Sequence, residues 1–81
     1  MVFHKDLLDI IDNNIIRYSI NENNNYFTLN EIYEYLFYFK KLYPNNNNLK
    51  AKIRQQLQLL RNKGYIEFIG NGEYFRLNKN D

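Results

Sequence analysis

Apolar residues recur at intervals of three and four in three stretches of the chain, which is the spacing of helices with one buried side. This pattern predicts helices over residues 6–17, 29–42 and 48–63. An Asn before the third helix and Gly64 after it are typical of helix ends, because Asn caps an N-terminus and Gly accepts the left-handed conformation. The third helix has the clearest apolar stripe, formed by Leu49, Ile53, Leu57 and Leu60.

The pattern changes from helical to alternating after Gly64, which indicates strands rather than a further helix. Residues 65–77 form two strand-like runs separated by Gly70-Asn71-Gly72. Glycines at these positions favour a tight turn that requires positive φ. The end of the chain is therefore predicted to be a β-hairpin.

Three helices followed by a two-stranded wing form a winged helix-turn-helix, a mostly helical α+β fold, and we expect one such domain over residues 1–81. A short strand, Tyr26 to Thr28, leads into the second helix, where Thr28 and Glu31 have the spacing of a capping box. The alternative, a three-helix bundle with a frayed tail, leaves four apolar hairpin residues without a role: Ile66, Phe68, Phe75 and Leu77.

The composition excludes several classes of protein. With 81 residues, 44% of them hydrophobic and 17% aromatic, the chain can build one small core. It has no Cys, so neither disulfides nor a thiolate metal site are expected, and no segment approaches the roughly 20 apolar residues that cross a bilayer. The N-terminus also lacks the layout of a secretory signal. We therefore expect an intracellular protein, in the cytoplasm of a prokaryote or in the nucleus or viral factory of a eukaryotic or viral source.

The charges are unevenly distributed, although the net charge is only +2. Residues 1–39 carry two basic and six acidic side chains, a net of −4, whereas residues 40–81 carry nine basic and three acidic ones, a net of +6. A domain of this polarity has a basic half that suits phosphates and an acidic half that faces away from them.

The side of the third helix opposite its apolar stripe is rich in amides and guanidiniums. At about 100° per residue, this side holds Ala51, Arg54, Gln55, Gln58, Arg61 and Asn62. Arg forms paired hydrogen bonds with guanine, and Asn or Gln does so with adenine, so these residues suit the reading of base edges in a major groove. The alternative is an ordinary solvated helix face.

Several segments between Phe27 and Leu77 resemble one family of domains. The run from Lys52 to Gln58, Lys-Ile-Arg-Gln-Gln-Leu-Gln, is the most specific of them. Together they are similar to the C-terminal winged-helix domain of DpnI-type restriction endonucleases, which also occurs in Dam-replacing proteins. The other segments that carry the likeness are Phe27 to Tyr33, Tyr43 to Asn47, Leu60 to Gly64, Glu67 to Ile69 and Gly72 to Tyr74.

The resemblance implies a domain that binds double-stranded DNA and senses N6-methyladenine, typically within GATC. It implies that Asn46 to Gln58 enter the major groove and that the hairpin around Asn71 approaches the backbone. The family's nuclease chemistry belongs to a separate domain, so a nuclease or other domain of a longer protein is a further expected partner. The chain has one His, His4, no Cys nucleophile and no Gly-rich phosphate loop, and we expect it to be no enzyme and to need no cofactor, metal or membrane.

Two sets of candidate DNA contacts follow from the helix pattern and the resemblance. The base-reading set, of which Arg54 and Gln55 are the first choices, comprises Asn47, Asn48, Ala51, Arg54, Gln55 and Gln58. Ala51 belongs to it because a methyl group on adenine N6 requires an apolar surface, while the two Asn residues suit helix capping equally well. Flexible ammonium groups suit phosphates better than bases. The phosphate and wing set comprises Lys40, Lys41, Lys50, Lys52, Arg61, Asn71, Tyr74 and Arg76.

A second class of function stays open, because winged helices also serve as protein-interaction modules. In that case Arg54, Gln55 and Arg61 would contact protein instead of DNA. Tyr35 and Tyr38, which the helix pattern places on the outward side of the second helix, would then belong to a partner surface. Salt distinguishes the two classes, because binding to phosphates weakens steeply as salt rises.

Overall fold

The computed structural model describes residues 2–16 and 25–77, which form helices packed on a small antiparallel sheet. This architecture confirms the winged-helix α+β fold. The elements in chain order are α1 (Phe3–Ile10) with a π-helical continuation (Ile11–Ile16), β1 (Tyr26–Thr28), α2 (Leu29–Tyr33), α3 (Leu36–Leu42), α4 (Leu49–Asn62), β2 (Ile66–Gly70) and β3 (Glu73–Arg76).

The first helix begins at Phe3, three residues before the predicted start at Asp6. Phe3 is buried, and its ring stacks on Phe39 with centroids 5.2 Å apart and lies 4.7 Å from the ring of Tyr43. The helix widens into a π-helix from Ile11 onwards. Its predicted end at Arg17 lies outside the described residues.

The predicted second helix is interrupted and forms α2 and α3. At the break, the amide of Tyr35 donates to the carbonyl of Ile32 at 2.9 Å, a tight i→i−3 turn. No Gly or Pro occurs at this point, so the sequence gives no local signal of the break. The start of α2 is as predicted: the Thr28 hydroxyl accepts from the Glu31 amide at 3.1 Å, and the Glu31 carboxylate accepts from the Thr28 amide at 2.8 Å.

The sheet has three strands in the order β1-β3-β2, so β1 joins the predicted two-stranded wing. Both pairings are antiparallel, with Phe27 opposite Tyr74 in one and Phe68 opposite Tyr74 in the other. The rings of Phe27 and Tyr74 stack at 5.2 Å, and that of Phe68 meets Tyr74 edge-on at 5.0 Å. Aromatic pairs across strands of this kind stabilise a small sheet.

The turn of the wing lies against the start of α2. Gly72 has φ +66°, which favours glycine, and its carbonyl accepts a hydrogen bond from the amide of Leu29 at 2.9 Å. The tip of the hairpin is therefore fixed to the helical layer.

The core lies between α1, α4 and the inner face of the sheet. α4 contributes the predicted stripe of Leu49, Ile53, Leu57 and Leu60, all of them buried. Aromatic rings close the two ends of this core, Phe39 near α1 and Phe27 in the sheet. In the part of the chain that the structure describes, no helix combines the length and apolarity needed to span a bilayer.

Candidate nucleic-acid interface

The exposed side of α4 carries cations and amides and no carboxylate. The helix spans 14 residues, about 21 Å, and contains four cations and no Asp or Glu. Its outward face therefore offers hydrogen-bond donors and positive charge along its whole length. The exposed members are Lys50, Arg54, Gln55, Gln58, Arg61 and Asn62, while Ala51 and Lys52 are half-buried at its edges.

Tyr33, at the end of α2, organises the N-terminal half of this face. Nη1 of Arg54 donates a hydrogen bond to the Tyr33 hydroxyl at 3.0 Å. The ammonium of Lys50 lies over the same ring, 5.0 Å from its centroid. One aromatic side chain thus holds two cations side by side at the surface. The helix pattern of the sequence gives no signal of this role.

Tyr74 lies close to this cluster, below the surface. Burial, then the neighbouring Tyr33, raises the pKa of Tyr74, and the charge of Arg54 opposes this shift. Its side chain is 7% exposed. The expectation that Tyr74 contacts phosphate is therefore corrected: the ring is committed to the core between Phe27 and Phe68.

The amide side chains before α4 bond mainly to the local backbone. Oδ1 of Asn48 accepts from the amide of Ala51 at 3.4 Å and caps the helix, while Oδ1 of Asn46 accepts from the amide of Asn48 at 3.0 Å. Asn48 thus fulfils the capping alternative, and the residue is exposed. Asn47 is exposed beside it. These contacts fix the approach of the chain to the first turn of α4.

The other cations of α4 lie over aromatic rings. The guanidinium of Arg61 is 4.6 Å from the centroid of Phe68 in β2, and the ammonium of Lys52 is 5.9 Å from that of Phe3 in α1. Arg61 therefore lies on the side of the helix towards the wing, and Lys52 on the side towards α1. Lys52 is consequently separated from Lys50 and Arg54, which share the opposite flank with Tyr33.

A cleft of about 420 Å³ separates α3 from the start of α4. Its α3 side is formed by Leu36, Phe37 and Lys40, and its other side by residues 46–50. The ammonium of Lys40 donates to the carbonyl of Pro44 at 3.2 Å, which keeps it at the mouth of the cleft. Lys41 is exposed on the same helix.

The aromatic surface of α3 differs from the expected one. Tyr35 is half-buried, and its hydroxyl donates to the backbone carbonyl of Asn14 at 3.4 Å. Tyr38 is exposed, as the pattern suggested, but the most exposed ring is Phe37, at 63%. The helix break at Tyr35 changes the phase of the pattern and explains why Phe37 was missed.

The guanidinium of Arg76 forms hydrogen bonds and an ion pair within the domain. Its Nε and Nη2 bond both oxygens of Asp12 at 2.7 and 3.1 Å, and its Nη1 donates to the carbonyls of Tyr65 at 3.0 Å and Leu77 at 2.6 Å. The expectation that Arg76 contacts phosphate is therefore also corrected, because its donors are engaged within the protein. Of the wing residues that were predicted to contact DNA, Asn71 at the turn is exposed.

Residues 2–16 and 25–77 contain no group of three or more His, Cys, Asp or Glu side chains arranged to hold a metal ion. The chemistry of the surface is that of donors and positive charge. It suits an anionic partner that presents hydrogen-bond acceptors.

A model of the Dam-replacing HTH domain family matches residues 4–76, which is nearly the whole chain. The chain therefore belongs to this family, as the resemblance of its segments indicated. A helix-turn-helix domain of this kind is a DNA-binding module and is not by itself a catalyst. In a helix-turn-helix the second helix is the one that enters the major groove, and α4 holds that position in this chain.

Proposed function

We propose that this domain binds double-stranded DNA with α4 in the major groove and reads adenine-methylated sites of the GATC type. The observation that carries the proposal is the exposed face of α4, which holds cations and amides and no carboxylate. Membership in a helix-turn-helix family supports the same use of this helix. The family's link to adenine methylation supports the choice of target.

Arg54 and Gln55 are the proposed base readers, with Gln58 one turn further along. The contact with Tyr33 restricts the Arg54 guanidinium, and a restricted guanidinium loses less entropy when it bonds guanine. Gln55 suits adenine, and half-buried Ala51 offers a methyl-sized apolar surface on the same helix. Lys50 and Arg61 flank these residues and are proposed to bind phosphates.

The test is a titration of the protein with four duplexes of equal length: fully methylated, hemimethylated and unmethylated GATC, and a scrambled sequence. We expect the tightest binding to a methylated duplex. A preference that depends on packing one methyl group is worth about 1–3 kcal/mol, or roughly 10- to 200-fold. Equal affinity for the three GATC duplexes would leave a DNA-binding domain but exclude methyl reading.

Repeating the titration at several salt concentrations separates DNA binding from use as a protein-interaction module. Each phosphate engaged should contribute about −0.9 to the slope of log affinity against log salt. Absence of binding to every duplex at low salt would exclude the proposal and favour the protein-interaction alternative.

The double variant Arg54→Ala, Gln55→Ala tests the reading role. We expect it to lose preference among the duplexes while it retains salt-dependent binding. Lys63→Ala, which removes an exposed cation just beyond α4, is the matched control and should keep the preference. An unchanged preference in the double variant would remove these residues from the reading role.

A further inference from the structure

Phe37 is the most exposed large apolar side chain in the described ranges, and it lines the cleft between α3 and the start of α4. Two further apolar residues line this cleft, Leu36 from α3 and Leu49 from the start of α4. The structure thus has an aromatic ring at an open, partly apolar site outside the exposed face of α4.

The charges around the cleft decide which partner fits it. Lys40 and Lys50 line it together with amide side chains of residues 46–48, and no Asp or Glu does. An apolar protein segment or a lipid chain would contact the ring but would bring no negative charge to the two ammonium groups, which have only a carbonyl and an aromatic ring as partners. A DNA strand can contact the ring and the ammonium groups together, because its phosphates pair with the ammonium groups and its deoxyribose rings present apolar surface.

The cleft is continuous with the proposed reading surface. Lys50 belongs to both, since its ammonium lies over the ring of Tyr33, whose hydroxyl binds Arg54. A helix in the major groove has a phosphate backbone on each side of it. The strand that borders α4 on the Tyr33 side would therefore pass over Lys50 and along the cleft.

We propose that the α3–α4 cleft binds the sugar–phosphate backbone of that DNA strand, with the ring of Phe37 against a deoxyribose and Lys40 and Lys50 on the adjacent phosphates. This inference rests on the proposed DNA binding and adds to it a specific contact that is independent of base sequence. Phe37 is then a source of affinity for all duplexes and not of preference among them.

The first test uses tryptophan fluorescence, since the chain contains no Trp. Phe37→Trp places a single reporter in the cleft, and Tyr38→Trp places one on the neighbouring position of α3, which does not line it. On titration with a GATC duplex, we expect a change of emission from the first variant and none from the second. An unchanged emission of Phe37→Trp at saturation would overturn the inference.

The second test compares the affinities of Phe37→Ala and Tyr38→Ala for methylated and scrambled duplexes. We expect Phe37→Ala to lower the affinity for both duplexes about tenfold, because one partly buried apolar contact is lost. The salt slope should stay unchanged. Lys40→Ala should reduce the salt slope by about 0.9 instead. Tyr38→Ala should bind as the parent does.

The two possible failures are distinguishable. If the parent protein binds duplexes and Phe37→Ala binds them equally well, the cleft contact is excluded and the proposed function stands. If the parent binds no duplex at any salt concentration, the proposed function itself fails, and the cleft contact fails with it.

Discussion

The hydroxyl of Tyr33 accepts a hydrogen bond from Arg54 at 3.0 Å, and this contact restricts where the guanidinium can point. Lys50, over the same ring, is held beside it. A restricted guanidinium can distinguish guanine from the other bases, whereas a freely rotating one mainly supplies charge. Tyr33 is therefore a positioning residue for the proposed reading of DNA, although it lies on α2.

Tyr33→Phe tests this role while it keeps the ring under Lys50. We expect the ratio of its affinities for GATC and scrambled duplexes to fall by up to about tenfold, because one hydrogen bond to a charged group is worth about 1.5 kcal/mol. The salt slope should not change, since no charge is removed. Preference equal to that of the parent would show that the contact does not position Arg54.

Tyr43 makes the stability of the domain depend on pH in the alkaline range. Burial, and then its hydrogen bond to the Asp6 carboxylate, raises the pKa of Tyr43 to about 12. Its pKa in the unfolded chain is about 10. The folded state therefore holds the proton more tightly, so this stabilisation is complete below pH 10 and is lost as pH rises from 10 to 12.

The measurement is the free energy of unfolding of the parent and of Tyr43→Phe between pH 8 and 12. We expect the parent to be more stable below pH 10 and its advantage to shrink above that value. Tyr38→Phe, on the exposed part of α3, is the control and should keep most of this dependence, because the charge of Tyr38 is the smallest cause of the raised pKa of Tyr43. A constant difference across the whole range would contradict the contribution of the Tyr43 hydroxyl.

The π-helical continuation of α1 and strand β3 are joined by the ion pair of Asp12 and Arg76, whose Nε–Oδ1 distance is 2.7 Å. The side chains of Arg76 and Asp12 are 18% and 38% exposed, so the pair is only partly shielded from solvent. The same guanidinium also satisfies the carbonyls of Tyr65 and Leu77. It thus connects the first helical layer to both ends of the hairpin.

Arg76→Ala should lower the free energy of unfolding by about 2 kcal/mol, because it removes the ion pair with Asp12 and the hydrogen bonds from the guanidinium to two carbonyls. Lys63→Ala removes an equal charge from an exposed site and should change the free energy of unfolding by less than about 0.5 kcal/mol. Urea unfolding of both variants measures the difference. A loss of unfolding free energy no larger than that of the control would show that the Asp12–Arg76 pair does not stabilise the fold.

Phe3 anchors the start of α1 on α3 and α4. Its ring contacts Phe39 and Tyr43 and lies under Lys52. Phe3→Ala should lower the free energy of unfolding by about 3 kcal/mol, which is typical of the removal of a buried aromatic ring. The control is Val2→Ala, because Val2 is exposed. Equal midpoints of thermal unfolding for the two variants would contradict the anchoring role.

Local periodicity explains which elements could be predicted from the sequence. The stripe of α4, the capping box of α2 and the positive φ of Gly72 in the hairpin each depend on a few neighbouring residues, and the structure has them where the pattern indicated; Gly70 lies in β2 without positive φ. The exposure of Arg54 and Gln55 followed from the same stripe.

The features that the sequence did not reveal depend on distant partners. Asp12 and Arg76 are 64 residues apart, and Arg54 is 21 residues from Tyr33. The pairing of β1 with β3 likewise joins residues that are far apart in the sequence, such as Phe27 and Tyr74. The exposure of Phe37 depends on the break at Tyr35, which no helix-breaking residue marks.

At the scale of the domain, the first and the last helices differ in charge. α1 and its π-helical continuation carry Asp6, Asp9 and Asp12, whereas α4 carries no acidic residue. Such a separation orients a protein as it approaches a polyanion, because the acidic side is repelled and the basic side attracted. The aromatic core beneath α4 keeps its exposed side chains on one rigid element, as docking in a groove requires.

Backbone amide chemical shifts, followed by NMR while a methylated GATC duplex is added, test most directly whether α4 is the DNA-binding element. We expect the largest shift changes in residues 50–62, with further changes at Phe37 and Lys40, and little change in α1. Saturable binding that shifts α1 and leaves residues 50–62 unchanged would contradict the placement of α4 in the major groove.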